Sequence, residues 1–173
     1  MNNIIAIIGS ASANSSSHHI VEFLNTQLQE KVRFFVFDRL KEMPHFDPVE
    51  SIERPPIEII ALRQIIQDAD AVVICTPEYI FSIPSGLKNI LEWCVATTIW
   101  LDKPVGIVTA SADGQKGHEE LQLLLQTLGA SLDPATSLHV RGIKGKIDDK
   151  GNITHEATRE ALATFAASLL GVL

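Results

Sequence analysis

Ala71-Val72-Val73-Ile74-Cys75, running into Thr76-Pro77, is the stretch that decides the fold. It is an unbroken apolar run rich in β-branched residues, with no alternating polar positions to turn toward water. Such a run reads as a strand of a parallel sheet covered on both faces. Just upstream, Ile59, Ile60, Leu62, Ile65 and Ile66 recur at helical spacing over residues 57–69, so a helix delivers the chain into this strand.

The alternation continues in both directions. Asn3 to Ile8 is a second buried run, ending in Gly9-Ser10, and Ile20, Val21, Leu24 and Leu28 form a helical stripe after a serine positioned as N-cap. Val32 to Asp38 reads as the next strand, and Lys41 to Pro56, with prolines at 44, 48, 55 and 56, reads as an irregular surface connection. Downstream, a helix from Ser85 to about Val95, a strand over 104–110 and an amphipathic helix over 117–128 follow. Leu138 to Val140 is the core of a fifth strand, and a helix over 154–170 closes the chain. Parallel neighbours need crossover connections of one hand, so this order predicts a doubly wound, three-layer α/β sandwich with a five-stranded parallel sheet of order 2-1-3-4-5. Residues 1–173 are expected to form a single domain, with ligands bound where the loops leave the carboxyl ends of the strands.

The composition narrows the function. With 46% hydrophobic and 20% charged residues the chain is expected to pack a core, and a net charge of −7 argues against a broad nucleic-acid or anionic-membrane surface. No apolar run approaches the roughly 18 residues of a membrane span, and the start Met1-Asn2-Asn3 lacks the charged leader of a signal peptide. A cytoplasmic protein with no membrane or nucleic-acid partner is the expectation. The two cysteines, Cys75 and Cys94, lack metal or redox spacing and read as buried thiols. His18-His19, His45-x-Asp47 and Glu119-Glu120 form no complete metal or acid–base set, so no metal is expected.

Three loops carry the chemistry. The first, Gly9 to Ser17, is rich in small residues and hydroxyls and opens a helix; helix-start amides and serine donors suit a phosphate, although a flexible turn with a serine cap accounts for the same residues. It has neither a dinucleotide glycine fingerprint nor the lysine of a triphosphate P-loop. The second, Thr76 to Asn89, offers Pro77, Glu78 and Tyr79, whose backbone amides and aromatic wall suit the edge and face of a planar ring. The third, Ser111-Ala112-Asp113-Gly114-Gln115-Lys116-Gly117, has small residues that allow close approach to a shared ligand, with Lys116 and His118 as secondary candidates.

The second loop, Thr76-Pro77-Glu78-Tyr79-Ile80-Phe81-Ser82-Ile83-Pro84-Ser85-Gly86-Leu87-Lys88-Asn89, resembles the NADPH-dependent FMN reductase family, whose pattern here is T-P-E-Y-N-x-S-x-P-x-x-L-K-N. The resemblance covers nearly the whole chain and implies a flavodoxin-like fold and an FMN cofactor. It implies a flavin held by Ser10, Ser12, Ser15, Ser16, Ser17, Pro77, Glu78, Tyr79, Ile80, Ser111, Asp113 and Gly114. It further implies hydride transfer from NAD(P)H to the flavin and delivery of electrons to a small-molecule acceptor: flavin, quinone, azo compound or metal oxyanion. No catalytic side chain is then needed. Ser12 and Ser17 stand where the family carries an arginine and an asparagine, and Ile80 stands at another asparagine. These departures keep a ligand-binding or interaction protein on the same scaffold as an alternative, beside an electron-transfer flavoprotein, although the flavodoxin phosphate pattern T-x-T-G-x-T is missing. The family also implies a homodimer or homotetramer, with Phe81, Ile83, Trp93, Ile99 and Trp100 as candidates for an apolar patch.

Overall fold

The computed structural model describes residues 1–173. Its five strands are β1 (Asn3–Ile8), β2 (Arg33–Phe37), β3 (Ala71–Thr76), β4 (Pro104–Ser111) and β5 (Ser131–Arg141). They form one sheet of order β2-β1-β3-β4-β5 in which every pair is parallel, the architecture expected from the sequence. The helices are α1 (Ser16–Leu28), α2 (Glu50–Glu53), α3 (Ile57–Asp68), α4 (Ser85–Trp93), α5 (Gln115–Thr127) and α6 (Glu156–Gly171). None is long and apolar enough to cross a membrane.

The period-two geometry of a strand explains the continuous apolar runs. Ile4, Ala6 and Ile8 of β1, with Ala71, Val73 and Cys75 of β3, face α1 and α6, where Ile20, Leu24, Leu162 and Phe165 cover them. Ile5, Ile7, Val72 and Ile74 face the other way, onto Leu62 and Ile66 of α3, Leu87 and Ile90 of α4, and Leu121 and Leu125 of α5. Each residue of β3 is therefore buried whichever way it points.

β5 is longer than the sequence pattern indicates, and the reason is local. Its pairing jumps from Val105↔Leu132 to Ile107↔Ser137, leaving residues 133–136 bulged out of register. Pro134 lies in this bulge on the sheet edge, where a missing amide costs no ladder bond. The connection over 41–56 is irregular as expected apart from a 3-10 turn at Leu40–Glu42, which begins one residue before it, and the single turn of α2. It is strapped to α4: Asn89 accepts from the Phe46 amide at 2.8 Å and donates to Pro44 O at 2.9 Å, and Trp93 Nε1 donates to the same carbonyl at 2.9 Å. Arg63 adds a bond from Nε to Trp93 O at 3.1 Å.

β1 and β3 are neighbours, with Ile8 opposite Cys75, yet their following helices leave to opposite faces of the sheet. This divergence opens a crevice at the topological switch point. At its floor the chain passes so closely that only glycine fits. Gly9 N donates to Cys75 O at 2.8 Å, and a Cβ on Gly9 would lie 2.4 Å from Thr76 Oγ1 and 2.6 Å from Thr76 Cβ. Thr76 is fully buried and has nowhere to retreat. Gly9→Ala is expected to destabilise the fold by about 1–3 kcal/mol through overpacking, read as a lower denaturation midpoint with unchanged slope. An unaltered midpoint would show that the strand ends are not closely packed.

Candidate functional site

A cavity of about 680 Å³ lies over the switch point. The first loop contributes Ser10, Ser12, Asn14, Ser15, Ser16 and Ser17; the second contributes Pro77, Glu78 and Tyr79. Ala110, Ser111 and Ala112 come from the end of β4, and Gly142, Ile143, Lys144 and Gly145 from the turn after β5.

The first-loop side presents unpartnered donors. Ser15 caps α1, its hydroxyl accepting from the His18 amide at 3.4 Å and pairing with His18 Nδ1 at 2.9 Å, and the first turn holds no acidic residue. The Ser16 and Ser17 amides have no hydrogen-bond partner within the chain, as first-turn amides of a helix do not. The Ser17 and Ser111 hydroxyls are buried and equally unpartnered. Ser17 sits against the Cys75 thiol without a bond that satisfies it. Polar atoms left this way cost free energy unless a ligand or water completes them.

The second loop is closed by its own backbone bonds. Tyr79 and Ser82 exchange backbone bonds of 2.9 and 3.0 Å around Ile80 and Phe81, which both take left-handed backbone angles, φ +52° and +58°. A branched residue pays for that conformation in strain, and both side chains project into solvent, Ile80 95% and Phe81 74% exposed. The Tyr79 amide is consumed by this turn, whereas the Glu78 amide has no partner and remains available to a ligand. The Glu78 carboxylate does not: it accepts from the Gly114 amide at 3.3 Å and the Gly117 amide at 2.8 Å, closing the N-terminus of α5. Ser10 Oγ and Tyr79 Oη, 3.4 Å apart, join the first and second loops.

Nine of the sequence-predicted residues therefore line one cavity, and Ile80, Asp113 and Gly114 do not. Ile80 is at the exposed tip of the turn. Gly114, at φ +92°, reverses the chain into α5, which leaves Asp113 facing Arg141 at 3.3 Å. Lys116 pairs with Glu119 at 3.0 Å, and His118 turns away into a polar chain with Thr109 at 2.9 Å and Ser137 at 3.0 Å. Burial, then the neighbouring His139, lowers the pKa of His118. Asn14, Ala110, Ala112 and the Gly142–Gly145 turn are the lining residues outside the predicted set; for the last of these the available signal was a glycine-flanked turn at the end of a fifth parallel strand. A second cavity of about 520 Å³ shares Ser10 and Tyr79 with the first and adds Lys41, His45 and Lys88 beside the start of α4.

A model of the family described as NADPH-dependent FMN reductase matches residues 2–141. The chain is 34% identical over 137 residues to the NADH:(hydroxy)cinnamate reductase subunit CrdA of Vibrio ruber, across 79% of this chain and 66% of that protein. It is 35% identical over 122 residues to an NADPH:quinone oxidoreductase of Arabidopsis thaliana, across 66% of this chain and 61% of that protein. The match thus spans less than two thirds of the length of these two relatives. Among solved structures, the flavoenzyme NAD(P)H:(acceptor) oxidoreductase FerB from Paracoccus denitrificans aligns over 99% of this chain and 96% of its own, with a TM-score of 0.85 at 20% identity, a likeness of fold.

The second loop is tied down a second time by Glu120 of α5, which accepts from Ser82 Oγ at 2.6 Å and the Ile83 amide at 3.0 Å, with Lys88 Nζ at 3.4 Å. Burial alone would raise the Glu120 pKa, but these donors together hold it below its ordinary 4.5. A carboxyl whose pKa is lowered by folding stabilises fully above its ordinary value and loses that contribution as pH falls through the lower, folded value. Glu120→Gln is expected to cost about 1 kcal/mol at neutral pH, with the difference from wild type shrinking on acidification below 4.5. Denaturation midpoints at neutral and acid pH check this; a pH-independent difference would contradict it.

Proposed function

The chain belongs to the NADPH-dependent FMN reductase family, and from that premise we propose that it is an NAD(P)H-dependent oxidoreductase that holds FMN in the 680 Å³ cavity and reduces a small acceptor, a quinone in the first place. The observation that carries this reading is the set of unpartnered donors at the switch point: the Ser16 and Ser17 amides at the start of α1 and the buried hydroxyls of Ser17 and Ser111. They suit a phosphate, while Pro77, the free Glu78 amide and Tyr79 suit the edge and face of a flat ring. When bound, FMN supplies the redox chemistry, taking hydride from a nicotinamide and passing electrons on. The protein's own residues bind and orient. Two relatives described as NADPH:quinone oxidoreductase and quinone reductase support quinone as the acceptor class.

The adjoining 520 Å³ cavity, which meets the first at Ser10 and Tyr79, is the approach for the nicotinamide donor, its Lys41 matching a phosphorylated dinucleotide. Both cysteines are free and buried, which fits the reducing cytoplasm. The protein acts as a homo-oligomer in this reading. Ile83, Trp93, Ile99 and Trp100 are core residues, so the apolar patch expected near the second loop is reduced to its tip, Ile80 and Phe81. Sedimentation should show an assembly that Phe81→Ser shifts toward monomer; a wild-type protein monomeric at high concentration would remove that part of the proposal.

Titration with FMN, followed by flavin fluorescence and absorbance, is expected to show saturable binding. Anaerobic NADPH should then bleach the flavin band, and a benzoquinone should restore it. No binding at high micromolar FMN overturns the cofactor assignment, and binding without bleaching overturns the NAD(P)H-dependent activity.

A further inference from the structure

We infer that Lys144, on the turn after β5, is the cation that holds the cofactor's phosphate, a positioning role that the first loop has no residue to fill. The inference rests on the FMN reading and goes beyond it in naming the charged partner. A phosphate monoester carries close to two negative charges at neutral pH, because its second pKa is about 6. Hydroxyls and helix-start amides supply donors for it but no formal charge. Residues 9–17 contain no lysine or arginine. Across the whole 680 Å³ cavity the charged residues are Glu78, whose carboxylate is bound to the Gly114 and Gly117 amides, and Lys144.

Of the surrounding cations, Arg141 is matched with Asp113 at 3.3 Å, Lys116 with Glu119 at 3.0 Å and Lys88 with Glu120 at 3.4 Å, while Lys41 lies outside this cavity, in the adjoining one assigned above to the dinucleotide. His18, near the capping serine, lies 2.9 Å from Ser15 Oγ and 4.0 Å from Asp38. Lys144 makes no ion pair or hydrogen bond in the fold.

Its position is nevertheless set by the backbone. The Gly142 amide donates to Ser111 O at 2.8 Å, with Ala112 O at 3.2 Å, fastening the turn to the third loop. Ile143 is buried in the core beneath α1 and α6. On the far side, the Thr154 amide donates to Lys146 O at 2.9 Å. A side chain on an anchored backbone with an unpaired ammonium, on the rim of a cavity whose other lining includes unpartnered donors, is placed as a flexible point charge for an anion.

The experiment compares FMN with riboflavin, which lacks the phosphate, on wild type, Lys144→Met and Lys144→Arg, each by fluorescence titration at low and high salt. Lys144→Met is expected to weaken FMN binding about tenfold, the scale of one charge-assisted hydrogen bond, to flatten its salt dependence, and to leave riboflavin affinity unchanged. Lys144→Arg should keep most of the FMN affinity. Unchanged FMN affinity in Lys144→Met, or equal losses for both flavins, overturns the assignment while the cofactor reading stands. A wild type that binds neither flavin overturns the cofactor reading itself, and this assignment with it.

Discussion

A carboxylate at a helix start organises the upper surface of this protein. Glu78 belongs to the loop after β3, but its two oxygens accept from the Gly114 and Gly117 amides at the beginning of α5. An anion is favoured there because the first-turn amides lack partners and the helix end carries partial positive charge. The second and third loops thereby become one unit. The same contact distinguishes the two helix starts: α5 is closed by an internal anion, whereas α1 starts with a neutral serine cap and no acid in its first turn. Of these two helix starts, only α1 is without an internal anion.

The contact is reciprocated. Glu120, further along α5, holds Ser82 and the Ile83 amide, so the second loop is fixed at both of its ends. Between those points lies the one conspicuous strain in the region, the left-handed pair Ile80 and Phe81. Backbone conformations of this kind persist where their surroundings over-determine them. An asparagine at position 80 would relieve the strain, as the family pattern has it, and isoleucine gives an exposed apolar tip in its place.

How far the sequence was legible follows from how local each signal is. Ala71 to Thr76 was readable because burial on both faces leaves an unbroken apolar run, and Ser15 because capping is a matter of three residues. The first strand-turn of β5 was not, since an edge strand with a bulge at 133–136 shows neither a continuous nor an alternating pattern. Asp113 and Gly114 lie outside the cavity lining although Ser111 is close in sequence, since one left-handed residue turns the chain into α5 and Asp113 faces Arg141. Lys144 was invisible for the opposite reason: long-range contacts, the pairing of Ser111 with Arg141, the bond from the Gly142 amide to Ser111 and the burial of Ile143, bring its turn to the cavity. Glu78 was legible as a site residue, but its service to α5 depends on tertiary contacts that no spacing announces.

The chemistry of the walls fits a site that holds reactive molecules without reacting with them. Cys75 lies behind Ser17, directly under the cavity, where burial pushes its thiol up to about 12. Cys94 is raised to about 11 by the same cause. A thiol is nucleophilic as its thiolate, so both are inert at neutral pH. His118, the nearest imidazole on α5, is turned into its bonds with Thr109 and Ser137, and does not line the cavity. Quinones, the acceptor class proposed above, are electrophiles that add to thiolates, and a floor without a thiolate suits that proposal. The cavity offers hydroxyls, amides and a single unpaired ammonium, and no thiolate or imidazole, a lining consistent with the proposal that the redox chemistry belongs to a bound cofactor.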